Sequence, residues 1–183
     1  PIFRSKDLSN WEQIGNVLDR KSQLDLSNTR HSEGIFAPTI RYNDGTYYMI
    51  TTNITHGGNF IVTSKDPAGP WSDPNFLEGA QGIDPSLFFD NDGKVYYVGT
   101  RPNQQGVRYN GDWEVWTQEL DLNSMKLVGE SHKIWKGALK NVIWPEGPHI
   151  YKKGNYYYLM IAEGGTGPDH CITVARSTSV FGE

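Results

Sequence analysis

Two carboxylates in this sequence of 183 residues stand where acid–base chemistry could be done. Asp84 lies in Gly82-Ile83-Asp84-Pro85-Ser86-Leu87, and Glu146 occupies the related place in Trp144-Pro145-Glu146-Gly147-Pro148-His149. Paired carboxyl groups are the equipment of glycoside hydrolysis: a protonated one gives its proton to the leaving oxygen, and a second activates water or attacks carbon. Taken singly, Asp84 also reads as a turn cap and Glu146 as a solvated loop carboxylate. Their matched settings favour the chemical reading. Gly34-Ile35-Phe36-Ala37-Pro38-Thr39 is built the same way with Ala37 beside its proline, so an acid is not a requirement of the motif.

An internal repeat must position these groups. Pro38-Thr39-Ile40-Arg41-Tyr42, Pro85-Ser86-Leu87-Phe88-Phe89 and Pro148-His149-Ile150-Tyr151-Lys152 each run through a turn into a second apolar stretch. Asp44-Gly45, Asp92-Gly93 and Gly154-Asn155 are the turn residues of tight hairpins. Third strands are expected at 59–65, 114–120 and 171–177, with weaker fourth strands at 71–77 and 127–135. Four antiparallel strands per unit make the blade of a β-propeller. Phe3-Arg4-Ser5-Lys6-Asp7 resembles Val62-Thr63-Ser64-Lys65-Asp66, so the sequence opens on the third strand of a blade. The reading is an all-β partial propeller forming one catalytic domain over 1–183. It comprises the end of one blade (1–30), two blades (31–78 and 79–136) and most of another (137–183).

In such a blade the loop entering the first strand and the loop joining strands two and three share one face. That rule gathers Asp84, Glu146, His56, Arg101, Arg108, Trp113, Trp144, Glu163 and His170 on one rim, as catalytic and substrate-binding candidates. Trp11, Trp71, Trp116 and Trp135 read as core between blades, and His149 as a polar residue lining the central channel.

Composition narrows the classes. The residues are 37% hydrophobic and 21% charged, which fits neither a disordered segment nor a helical membrane protein. The net charge of −4 and the absence of a basic block argue against nucleic acid and anionic membrane as partners. A single cysteine, Cys171, excludes an internal disulfide and the multi-cysteine zinc patterns, and the histidines show no close ligand spacing. Neither a metal nor a cofactor is expected. The sequence opens at Pro1 without a signal-type apolar stretch, so the N-terminus reads as processed or truncated. The compartment, cytoplasmic or secreted, stays open.

The motifs around Phe36, Asp84 and Glu146, with Leu127-Val128-Gly129-Glu130 and Ala162-Glu163-Gly164-Gly165-Thr166-Gly167, resemble glycoside hydrolase family 43 along the whole chain. The likeness is to its β-xylosidase and α-L-arabinofuranosidase branch. It implies a five-bladed propeller, of which about three blades are here, and hydrolysis with inversion of xylose- or arabinose-containing plant polysaccharide or oligosaccharides. It makes Glu146 the general acid and Asp84 the aspartate that orients and tunes it. The family's base aspartate belongs to an Asp-Pro motif that falls before Pro1, which implies that the isolated chain is inactive. Phe36 stands where the family more often has Trp, keeping an apolar sugar platform without the indole donor. An arabinan-cleaving member and a non-catalytic carbohydrate-binding propeller are the alternatives. Self-association through uncovered blade surfaces is expected.

Overall fold

The computed structural model describes residues 1–24 and 26–182. Asp25 and Glu183, within the expected first and fourth blades, lie outside the described residues. Every strand pairing is antiparallel, and the strands form four sheets. The first is a ribbon of β1 (Ile2–Arg4) and β2 (Glu12–Gly15). The second contains β3 (Ile35–Asn43), β4 (Thr46–Asn53), β5 (Gly58–Ser64) and β6 (Asn75–Phe76). The third contains β7 (Ile83–Phe89), β8 (Val95–Pro102), β9 (Trp113–Asp121) and β10 (Lys126–Trp135), and the fourth β11 (Glu146–Lys153), β12 (Tyr156–Glu163) and β13 (Cys171–Ser177). Within each sheet spatial order follows chain order, the meander of a propeller blade.

The sheets stack because strands β4, β5 and β8 are apolar on both faces. With side chains alternating, Tyr48, Ile50 and Ile61 face Leu87, Tyr97 and Trp116 of the third sheet. Met49, Phe60 and Val62 point the other way, onto Val17 and Trp71. On the far side of the third sheet, Phe88, Tyr96, Val98 and Val115 meet Ile150 and Ile161 of the fourth. Trp116 and Tyr97 are fully buried with their rings 4.8 Å apart. Burying such a side chain contributes about 1.5–3 kcal/mol by area, before the cost of ordering it. At the foot of the two hairpins, Lys152 Nζ reaches Asp90 Oδ1 at 2.5 Å, and Tyr157 Oη donates to Asp90 Oδ2 at 2.6 Å, pinning the fourth sheet to the third.

Two expectations are corrected. The fourth strand of the second sheet is only Asn75–Phe76 rather than 71–77. Pro70 and Pro74 have no N–H to give, and Thr63 N–H bonds the Ser72 hydroxyl instead of a main-chain carbonyl. Trp11 is 56% exposed, its indole N–H donating to Leu8 O within its own turn, whereas Trp71 and Trp116 are buried as core.

The inner strands β3, β7 and β11 lie side by side with β7 in the middle. Each carries the same bulge, the register shifting between Phe36 and Thr39, Ile83 and Ser86, and Glu146 and His149. Ala37, Asp84 and Gly147, each just before the bulge proline, take φ of +24°, +53° and +56°. A hydroxyl of one bulge bonds the proline carbonyl of the next: Thr39 Oγ1 to Pro85 O at 3.2 Å, and Ser86 Oγ to Pro148 O at 2.5 Å. The bulges are thereby stitched into an arc around the axis.

Candidate active site

The register sets the two acids one position apart in the repeat, in agreement with their spacing from Pro85 and Pro148. Phe36 pairs with Thr52, Ile83 with Thr100 and Glu146 with Ala162, so Glu146 takes the position of Phe36. Asp84 takes the position of Ala37 and Gly147, in the left-handed region, which aspartate tolerates better than most residues. This twist at the bulge brings Asp84 to Glu146 from the neighbouring strand: the Asp84 carboxylate accepts the N–H of Gly147, the residue after Glu146.

The segment before Asp84 is held from behind. Asn59 is fully buried, and its side-chain amide donates to Ala80 O at 2.7 Å and Gly82 O at 3.2 Å. Gly82 admits no side chain, since a Cβ there would overlap the Thr100 carbonyl.

The segment before Glu146 is tied at four points. Tyr109 Oη donates to Val142 O at 2.9 Å, Gly164 N to Ile143 O at 3.0 Å, Trp144 N to Gly111 O at 2.8 Å and Thr100 Oγ1 to Pro145 O at 2.6 Å. Trp113 N–H shares the Gly111 carbonyl at 2.9 Å, so both tryptophans hang from one oxygen. The Trp144 ring lies against Gly165, where a Cβ would come within 2.6 Å of Cε3.

Burial, and then the charge of Asp84, push the Glu146 carboxyl up to about 7, against a smaller opposing pull from His170. Burial also raises Asp84, while the Gly147 N–H works the other way. Two interacting carboxyls do not both ionise readily, and the one left protonated near neutrality is able to donate a proton. His170, its ring Nδ1 2.6 Å from Gly165 O, completes the electrostatic group.

The other expected residues divide. Phe36 is half-buried at the β3 bulge, His56 exposed in the turn after β4, Trp113 half-buried at the start of β9, and Trp144 half-buried in the loop before β11. No hydrogen bond or ring contact joins Phe36 or His56 to the acid pair among the described residues.

Three residues expected to bind substrate are otherwise engaged. Arg101 is 8% exposed, paired with Glu114 at 3.0 Å and stacked 4.5 Å over Trp116. It is a buried structural ion pair, of the kind whose disruption costs about 3–5 kcal/mol. Glu163 is fully buried, accepting the N–H groups of Ala138 and Leu139 and the Thr173 hydroxyl. It orders the loop leading to Glu146. Arg108 forks onto Asp112 at 2.8 and 2.9 Å, closing its own loop.

Sequence reasoning missed Arg41, whose Nη2 lies 2.7 Å from His149 Nδ1 and joins β3 to β11. The guanidinium can only donate, so this ring nitrogen is the acceptor and the imidazole is neutral. Burial and the Arg41 charge both depress His149, consistent with that state. Thr100 was missed as well. Its sequence signal is nothing more than a threonine in a strand.

Among the described residues no three of His, Cys, Asp or Glu cluster as metal ligands. An apolar cavity of about 190 Å³, lined by Ile134, Ile150, Leu159 and Val180, lies between the third and fourth sheets and contains neither acid.

A family profile described as glycosyl hydrolases family 43 matches residues 1–183. A xylosidase/arabinosidase of Butyrivibrio fibrisolvens is 69% identical over 183 residues, 99% of this chain and 35% of that protein. A non-reducing end α-L-arabinofuranosidase of Bacteroides ovatus is 42% identical, over 100% of this chain and 33% of that protein. The crystal structure of a GH43_12 protein retrieved from a capybara gut metagenome superposes with a TM-score of 0.93 at 45% identity, covering 100% of this chain and 35% of that one. The chain thus spans about a third of the length of these relatives, at 33–35%.

Proposed function

The chain belongs to glycosyl hydrolase family 43, and from that membership we propose that the protein containing it hydrolyses xylosidic or arabinofuranosidic bonds in plant polysaccharide or its oligomers, with inversion. The observation that supports this best is the carboxyl pair: Glu146, its proton affinity raised to about 7, lies beside Asp84 on stitched inner strands of a β-propeller. In this reading Glu146 protonates the leaving oxygen and Asp84 orients and tunes it. Trp113, Trp144, Phe36, His56 and His170 form the sugar-facing rim. The units at 1–30, 31–78, 79–136 and 137–183 are successive blades of one catalytic propeller, acting on carbohydrate rather than on nucleic acid or membrane. Aryl β-xyloside and aryl α-L-arabinofuranoside, supplied to the full-length protein, are expected to be hydrolysed with the anomeric configuration inverted, as read by NMR. Sugar binding without turnover, or retention of configuration, overturns the reading.

The 183-residue segment by itself is expected neither to turn over substrate nor to remain monomeric. Inversion needs a base carboxylate about 6.5–9.5 Å from the acid. Asp84, already the tuning partner, is the only carboxylate found to act on Glu146 among the described residues. The segment also exposes one face of the fourth sheet, with Ile172 at 60%, Val174 at 61% and Tyr151 at 47%. Apolar faces of this kind drive association. Light scattering on the purified segment should show oligomers, and the double substitution Ile172→Lys, Val174→Lys should return it toward monomer. A monomeric, active segment contradicts both expectations.

A further inference from the structure

The Glu146 bulge and its counterpart at Asp84 are each held at two carbonyls, but by different groups. At the Asp84 bulge Thr39 Oγ1 holds the Pro85 carbonyl and the Asn59 side-chain amide holds Gly82 O, both at 3.2 Å. Glu146 is bracketed, with Ser86 Oγ 2.5 Å from Pro148 O on one side and Thr100 Oγ1 2.6 Å from Pro145 O on the other. Both hydroxyls are fully buried, on β7 and β8 of the sheet that carries Asp84. Thr52, which occupies the place of Thr100 in the second sheet, bonds Asn59 within its own sheet at 2.5 Å, and it is Asn59 that reaches Gly82 O, whereas Thr100 reaches the neighbouring bulge itself. Thr100 also pairs with Ile83, next to Asp84, and its carbonyl lies against Gly82. One residue therefore touches the segments leading to both acids.

We propose that Thr100 and Ser86 are positioning residues that clamp the Glu146 bulge onto the strand bearing Asp84 and so fix the distance between the two carboxyls. This rests on the reading of Glu146 as the acid. Loosening either anchor lets Glu146 move away from Asp84 and admits water between them. Both changes favour the ionised acid. In the full-length enzyme, Thr100→Val, which keeps the shape and removes the donor, should move the alkaline limb of kcat/KM to lower pH by about half to one unit. It should also lower turnover of a substrate with a poor leaving group by about tenfold, with much less effect on an activated aryl glycoside. Thr100→Ser should restore the limb.

Ser86→Ala serves as the second probe should Thr100→Val fail to fold, with the same expected direction. A lowered Tm with an unmoved limb in the folded variant makes the hydroxyls merely structural and overturns the clamp. Glu146→Gln is assayed alongside. If it retains the alkaline limb, the acid assignment itself falls and the clamp with it. If it abolishes the limb while Thr100→Val and Ser86→Ala leave the limb in place, only the clamp is lost.

Discussion

Glu146→Gln in the full-length enzyme is expected to lower kcat on a xylo- or arabino-oligosaccharide by roughly 10²–10⁴, the usual worth of a positioned general acid. A sugar alkoxide leaves poorly and needs its proton in the transition state, whereas an activated phenolate leaves without one. Activated aryl glycosides should therefore lose far less, and equal losses on both substrate types would remove Glu146 from the role. The alkaline limb of the pH profile should vanish as well, because the group whose deprotonation causes it is gone. Stability supplies an independent readout. The carboxyl titrates near 7 when folded, above its ordinary 4.5, so in that window the native state holds a proton the unfolded chain has lost. Stability then falls as pH rises through the window, and Gln removes the fall. The variant should melt no lower than the parent at pH 8, a result that separates loss of chemistry from loss of fold.

How much of this was legible in the sequence follows from what each feature depends on. The hairpins were, because Pro38, Pro85 and Pro148 with their turn residues recur in order, and local turn chemistry does not wait on tertiary contacts. The third strand at Cys171–Ser177 has the expected bounds, its alternation of half-buried and exposed residues being a plain period of two. The short β6 was not, since its length depends on which donors two prolines remove and on where the Ser72 hydroxyl turns. At the site, the approach of Glu146 and Asp84 could be inferred from the repeat, and their one-position offset is visible against Pro85 and Pro148. What the repeat does not show is the bulge at which the two acids sit, because a bulge is a property of pairing rather than of composition. Arg101 and Glu163 look like rim residues in a loop-counting scheme. Both turn inward because each finds buried partners, Glu114 with Trp116 and the Ala138 and Leu139 amides, that no spacing rule reveals.

Asp84→Asn is expected to move the alkaline limb to lower pH and to cut activity near neutrality by about five- to fiftyfold. The substitution is a clean probe of charge. Asparagine tolerates the φ of +53° at this bulge, and its side-chain oxygen can still accept the Gly147 N–H, so the geometry around Glu146 has reason to persist. What disappears is the negative charge that, after burial, does most to hold the proton on Glu146. A neighbouring charge is worth about one to three pKa units. If Glu146 falls by one or two from about 7, the protonated fraction at neutral pH drops by the stated factor, and lowering the pH should recover much of the rate. Asp84→Ala, which also abandons the Gly147 N–H, should lose more and recover less. A nucleophilic Asp84 predicts something different: no recovery at low pH, and rescue by azide with a glycosyl azide as product. That result would mean the carboxylate attacks the sugar, and inversion would have to be given up along with the division of roles between the two acids.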